Sequence, residues 1–220
     1  MRTQLDHLVI GAADLDKAVD WATARFGIAP AARGRHALMG THNALWHMAV
    51  PGAPDAYLEI IAIDPEAPAP DRPRWFGLDT DAVKKMLAGE PRLLTWQIRP
   101  GGGLDAMVAA LGKEEIATGE VLSLSRDSLS WRLTVTEDGV MPFEGRQPIM
   151  IEWAEGSTPP PETLPATGLS LQSFAVNGTH PKLLQMLMLT QTGHIAKLGG
   201  PGSPRLKAVI SAPAGSVTFD

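Results

Sequence analysis

The first stretch of the chain passes from the two-residue alternation of a strand to the repeat of a helix. His7, Val9 and Gly11 alternate with Leu8 and Ile10, which predicts a strand with a histidine on one face and aliphatic residues on the other. Asp14 is placed to cap a helix, Leu15, Ala18, Val19, Ala22 and Phe26 form its apolar stripe, and Gly27 suits a left-handed stop. Gly34 and Gly40 mark a turn around His36. Residues 43–50 and 57–63 then read as strands on either side of a proline-containing turn. In the second of these, Leu58, Ile60 and Ala62 share one face, and Glu59 lies on the other between Tyr57 and Ile61. A carboxylate in so apolar a strand is costly to bury without a partner. A solvated edge or an arginine partner would also account for it.

Residues 64–73 are rich in proline and acid and read as a loop, followed by the aromatic pair Trp75-Phe76. Thr80 is placed to cap a short helix with Val83, Met86 and Leu87 on its buried side. The order then repeats. Residues 94–99 form a strand, Gly101 to Gly103 a turn, and Leu104, Met107, Val108 and Leu111 a helix stripe. Two strands flank Arg126-Asp127-Ser128, and residues 149–153 form a last strand with Glu152 among apolar neighbours. Aligned by pattern, Leu15-Asp16 matches Leu104-Asp105, Val19 matches Val108, Glu59 matches Glu152, and His7 matches Trp96. Residues 156–167 form a proline-rich linker. A third, partial pass occupies 168–220, with a strand at 171–176, a helix carrying Leu183, Leu184 and Leu187, and strands at 206–211 and 216–219. Gln172 there stands in the place of His7. This unit is expected to pack on the first two, because its apolar stripe lacks cover of its own.

Composition narrows the picture. The chain has 220 residues, 44% hydrophobic and 20% charged, within the range of ordinary globular domains. A net charge of -5 offers no general phosphate-binding footprint, which argues against nucleic acid as a partner. There is no cysteine, so disulfides, thiolate nucleophiles and cysteine metal sites are excluded. No targeting segment or membrane span is read, so a cytoplasmic location is expected. Six tryptophans against one tyrosine could line a groove or fill the core.

A strand–helix–three-strand unit, repeated, with a polar residue on its first strand and a glutamate on its last, resembles the vicinal oxygen chelate superfamily. The stretches LDHLVIGAADLDKA, GRHALMGTHNAL, YLEIIAID and PIMIEWAE resemble its glyoxalase-like domain family. The resemblance implies an α+β fold in which tandem βαβββ units over residues 1–155 curve into a half-open barrel groove. It implies a divalent metal on the concave side, with His7 and Glu59 supplied by the first unit and Glu152 by the second. Trp96 falls at the remaining ligand position and cannot ligate. One imidazole and two carboxylates would suit Mn, Zn, Fe or Mg. The resemblance also allows a homodimer.

Two functions follow. In the favoured one, the protein is a metal-dependent enzyme of lyase or isomerase type acting on a small substrate with vicinal oxygens. His7, Glu59 and Glu152 hold the ion, Glu152 also moves a proton, and His36 and Arg126 contact an anionic substrate. In the other, the protein binds a small molecule without metal. Trp96 then makes an aromatic slot, Trp75 closes over it, and the polar residues serve as anchors.

Overall fold

The computed structural model describes residues 3–187, 195–196 and 204–220. Residues 1–2, 188–194 and 197–203 lie outside the described part. The first unit comprises β1 (Thr3–Gly11), α1 (Leu15–Phe26), β2 (Ala32–His36), β3 (Thr41–Ala49) and β4 (Ala56–Ile63). A short helix, α2 (Asp81–Met86), leads into the second unit: β5 (Arg92–Pro100), α3 (Leu104–Gly112), β6 (Glu120–Arg126), β7 (Leu129–Val135) and β8 (Ile149–Trp153). The chain then runs through α4 (Pro160–Thr163), β9 (Leu169–Val176), α5 (Pro181–Leu187), β10 (Ile195–Ala196), β11 (Leu206–Ala212) and β12 (Gly215–Phe219).

Local chemistry sets the ends of α1. The Asp14 carboxylate accepts a hydrogen bond from the Lys17 N–H at 3.1 Å, and Gly27 at φ +74° donates its own N–H to Thr23. Thr80 caps α2 through the N–H of Val83. β2 has no such local support. Its sequence ARGRH reads as a turn, and it is held extended by antiparallel pairing to β3, with Gly34 opposite Asn43 and His36 opposite Thr41.

The strands form one mixed sheet in the order β12-β11-β9-β3-β4-β1-β5-β8-β7-β6, with β2 beside β3 and β10 beside β9. The sheet is open and the class is α+β. Within each of the first two units the first and last strands are parallel neighbours, β1 with β4 and β5 with β8. The units meet at the antiparallel pair β1–β5, so their first strands lie side by side in the middle of the sheet. β9, β11 and β12 extend the first unit: Met48 and Ala49 of β3 pair with Leu169 and Ser170.

Apolar residues cover both faces of this sheet. The helix-side layer includes Leu8, Trp46, Trp96, Phe174 and Leu183, all without solvent exposure. On the other side, Val9, Ile61, Trp75, Leu133 and Ile151 line a curved trough. Strand parity decides which layer each residue joins, since neighbours point to opposite faces. Among the described residues no helix is long and apolar enough to cross a membrane.

Candidate functional site

The site is built where the two units join. Between Leu5 and His7, β1 carries an extra residue relative to β5, a bulge at Asp6. Bulges re-aim side chains, and here both Asp6 and His7 reach the interior of the trough. Asp6 is fully buried. Its Oδ2 lies 2.9 Å from Arg99 Nε of β5 and accepts from the Trp153 indole N–H of β8 at 3.0 Å. Its Oδ1 lies 2.6 Å from His7 Nδ1. The carboxylate accepts from Nδ1–H, which orients the ring and turns Nε2 toward Glu59, the second-partner arrangement usual for a ligating histidine. The His7 ring stacks on its cross-strand neighbour Tyr57 with centroids 4.2 Å apart.

His7 Nε2 faces Glu59 Oε2 at 3.6 Å, and both residues are buried. The other Glu59 oxygen accepts from Asn43 Nδ2 of β3 at 2.6 Å. Asn43 in turn accepts through Oδ1 from Arg126 Nη1 at 3.4 Å. Gln97 of β5 stands opposite His7 and lines the same cavity, and its Oε1 is buried with no donor. Trp75, Trp131 and Trp153 form the walls of this cavity of about 30 Å³. The indole N–H of Trp75 is also buried without a partner.

Two groups in the wall have shifted ionisation. Burial, then the charge of Arg126, then His7, lower the pKa of His36 to about 3. Its ring contacts Thr41 Oγ1 at 3.2 Å and meets Trp75 edge-on. Burial and the carboxylates of Asp6 and Glu59 push the Tyr57 phenol well up, so it keeps its proton. The His36 shift has a measurable consequence. The unfolded chain takes up this proton near pH 6.5 and the folded one only near 3, so stability is lost as pH falls below 6.5. Between pH 8 and pH 5 this linkage should remove about 2 kcal/mol. Urea unfolding at the two pH values should show the loss in the wild type and not in His36→Phe. An equal loss in both would assign it to other groups.

The structure brings five of the seven sequence-predicted residues to one cavity: His7, Glu59, His36, Arg126 and Trp75. His36 belongs to the cavity wall at the end of β2, not to a turn. The other two, Trp96 and Glu152, require correction. Trp96 sits opposite Leu8 in the helix-side layer, where its indole N–H donates to the Arg146 carbonyl at 3.2 Å and its ring meets Phe174. Glu152 lies opposite Arg132 and forms a short ion pair with it, while its Oε1 accepts from the first N–H of α3 at 3.0 Å. The Arg132 guanidinium, with the Leu104 N–H behind it, holds the Glu152 carboxyl below the usual carboxylate range. Both errors have one cause: the repeat alignment slipped by one residue, and a one-residue slip in a strand exchanges the faces. In the second unit the trough-facing positions are Gln97 on β5 and Ile151 and Trp153 on β8. Gln97 had a signal, a polar side chain next to the residue chosen. Asp6 had only its charge, because the bulge that turns it inward leaves no mark in the sequence.

A mixed open sheet of tandem βαβββ units, with a polar cluster on the first strand of each, defines the glyoxalase fold of the vicinal oxygen chelate superfamily. The chain belongs to the glyoxalase-like domain family, whose sequence profile matches residues 5–190. Among solved structures it is similar to a hypothetical protein from Staphylococcus aureus at 14% identity, over 99% of this chain and 84% of that one, with a TM-score of 0.54. It is also similar to a methylmalonyl-CoA epimerase in complex with methylmalonyl-CoA and NH4+ at 18% identity, over 68% of this chain and 92% of that one, with a TM-score of 0.45. The methylmalonyl-CoA epimerase from Mycobacterium tuberculosis aligns at 21% identity over 68% and 85% of the two chains, with a TM-score of 0.41. No curated protein matches the chain.

Proposed function

We propose that the trough is the site of a metal-dependent enzyme of isomerase or lyase type, acting on a small substrate with vicinal oxygens, and that His7, Glu59 and Gln97 hold the divalent ion. One observation carries this reading. His7, Glu59 and Gln97 line one small cavity, His7 Nε2 faces Glu59 Oε2 at 3.6 Å, and Gln97 Oε1 is buried with no donor. Buried acceptors left without a donor are costly, and a cation removes that cost. Among the described residues no group of three or more His, Cys, Asp or Glu side chains is placed to hold a metal, and in this reading the Gln97 amide is the third ligand. A set of one imidazole and two oxygens suits Mn, Fe, Zn or Mg.

When bound, such an ion polarises substrate oxygens as a Lewis acid. The protein's own groups supply the rest. Asp6 fixes the His7 ring and its tautomer. Asn43 fixes one Glu59 oxygen, which leaves Oε2 directed at the ion site. Tyr57 keeps its phenolic proton through the neutral range and serves as a donor to developing negative charge. The tryptophans give the cavity apolar walls around these polar groups.

The aromatic lining and the small set of anchors also favour a second reading, binding of a small molecule without metal. Ion titrations separate the two. If the site is metallic, Mn, Zn or Fe at about a hundred times its dissociation constant should add about 2.7 kcal/mol of stability, read as a rise in melting temperature. His7→Ala, Glu59→Gln and Gln97→Leu should each remove most of that rise. No rise with any of these ions would leave the metal-free reading.

A further inference from the structure

We infer that Arg126 and the Trp75 indole N–H form a carboxylate subsite at the same cavity, so that the substrate is a small carboxylic acid. The inference deepens the proposed enzymatic reading, and its geometry stands without the ion. Arg126 closes β6 at a two-residue turn in which Asp127 takes φ +54°, and this tight hairpin fixes the direction in which the side chain leaves the second unit. It crosses to the first unit and lies against Gly34 of β2. A Cβ on Gly34 would fall on the Arg126 guanidinium. Gly34 has no positive φ to explain it. A glycine inside a strand without that need marks a close approach, and here the approaching group is the guanidinium.

The guanidinium is half-buried and carries five donors. Among the described residues it has no carboxylate partner; its hydrogen bond is the 3.4 Å contact to Asn43 Oδ1. Arg99 and Arg132, by contrast, are each matched to an acid, Asp6 and Glu152. The Trp75 indole N–H, buried at the same cavity, likewise has no acceptor. At this cavity the Gln97 Oε1 acceptor and the Trp75 indole donor are buried without a partner, and the Arg126 guanidinium has no acid opposite it among the described residues. Asn43 stands between the two ends, donating to Glu59 and accepting from Arg126. A ligand matching both ends carries a planar anion that takes the fork of the guanidinium. A carboxylate has this shape: two coplanar oxygens that accept from the guanidinium fork, with an edge left for the indole N–H.

The test uses the full chain and three acids, lactate, pyruvate and malonate, each against its neutral amide. Binding is read by quenching of tryptophan fluorescence, first in EDTA and then with Mn. At least one acid should bind tenfold or more tightly than its amide. Arg126→Gln should weaken that acid about tenfold and abolish the preference over the amide. Arg126→Lys, which keeps the charge but loses the planar fork, should retain only part of the preference. Equal binding of acids and amides, acid binding unchanged in Arg126→Gln, or no binding by any acid overturns the subsite. A stabilising response to Mn without a preference for acids rejects the carboxylate subsite alone. Preference for acids that depends on Arg126, with no response to Mn, upholds the subsite and rejects the ion.

Discussion

Asp6→Ala should destabilise the protein by about 3 kcal/mol. The carboxylate has no solvent exposure and ties together three strands: His7 on β1, Arg99 on β5 and Trp153 on β8. Removing one partner of a buried ion pair costs about 3–5 kcal/mol, because the remaining charge is left uncompensated. The low end applies, since 17% of the Arg99 side chain remains in solvent and water can partly compensate it. For a chain of this length the melting temperature should fall by roughly 6–12 °C. The same substitution frees the His7 ring, so the stabilisation by Mn proposed above should weaken about 10–100-fold in affinity, as loss of such an outer partner usually does. Asp6→Asn keeps the shape and should retain part of the stability while weakening the Mn response. Wild-type stability in Asp6→Ala would mean that Arg99 and Trp153 find other partners.

Trp96→Ala should cost about as much stability, roughly 3–5 kcal/mol, and do so without touching the cavity. The indole is fully buried, its N–H is bonded to the Arg146 carbonyl, and its ring packs edge-on against Phe174 of β9 at 5.3 Å. It is therefore part of the cement between the second unit and the C-terminal strands. Denaturation should shift to lower urea, while the response of the folded protein to Mn and to small carboxylates stays at the wild-type level. Loss of either response in a variant that remains folded would place the indole in the trough. Gln97→Leu makes the opposite expectation on the adjacent residue: a modest effect on stability and loss of the ion response.

That contrast between neighbours shows what the pattern of the chain could and could not convey. The capped helix α1, the strands β1 and β4 and the repeated order of elements are local statements, and each was legible. Asp14, the apolar stripe and Gly27 specify α1 within a dozen residues. The alternation in β1 and β4 places His7 and Glu59 on the same side of the sheet, and the fold brings them to 3.6 Å. The second half of the site was not legible in the same way. The repeat between the units is one of order rather than identity, so the alignment had no anchor finer than a residue. Sliding by one exchanged Gln97 for Trp96 and moved Glu152 to a face it does not occupy. β2 escaped notice because its five residues are mostly polar and become a strand only by pairing with β3.

The sequence by itself determined the family, the α+β class and the shared face of His7 and Glu59, because motifs, periodicity and strand parity are properties of short segments. Only the tertiary structure decided the rest of the site. Asp6 turns inward through a bulge that exists only relative to β5, and bulges are defined by the partner strand. Arg126 reaches Asn43 across 83 residues of chain, over a glycine whose lack of a side chain matters only when the two units are joined. Glu152 is drawn to Arg132 and the start of α3 by charges that lie far apart in the sequence and meet only in the fold. Each of these depends on which strand lies beside which and in what register, and register is set by the burial of whole faces rather than by any one segment.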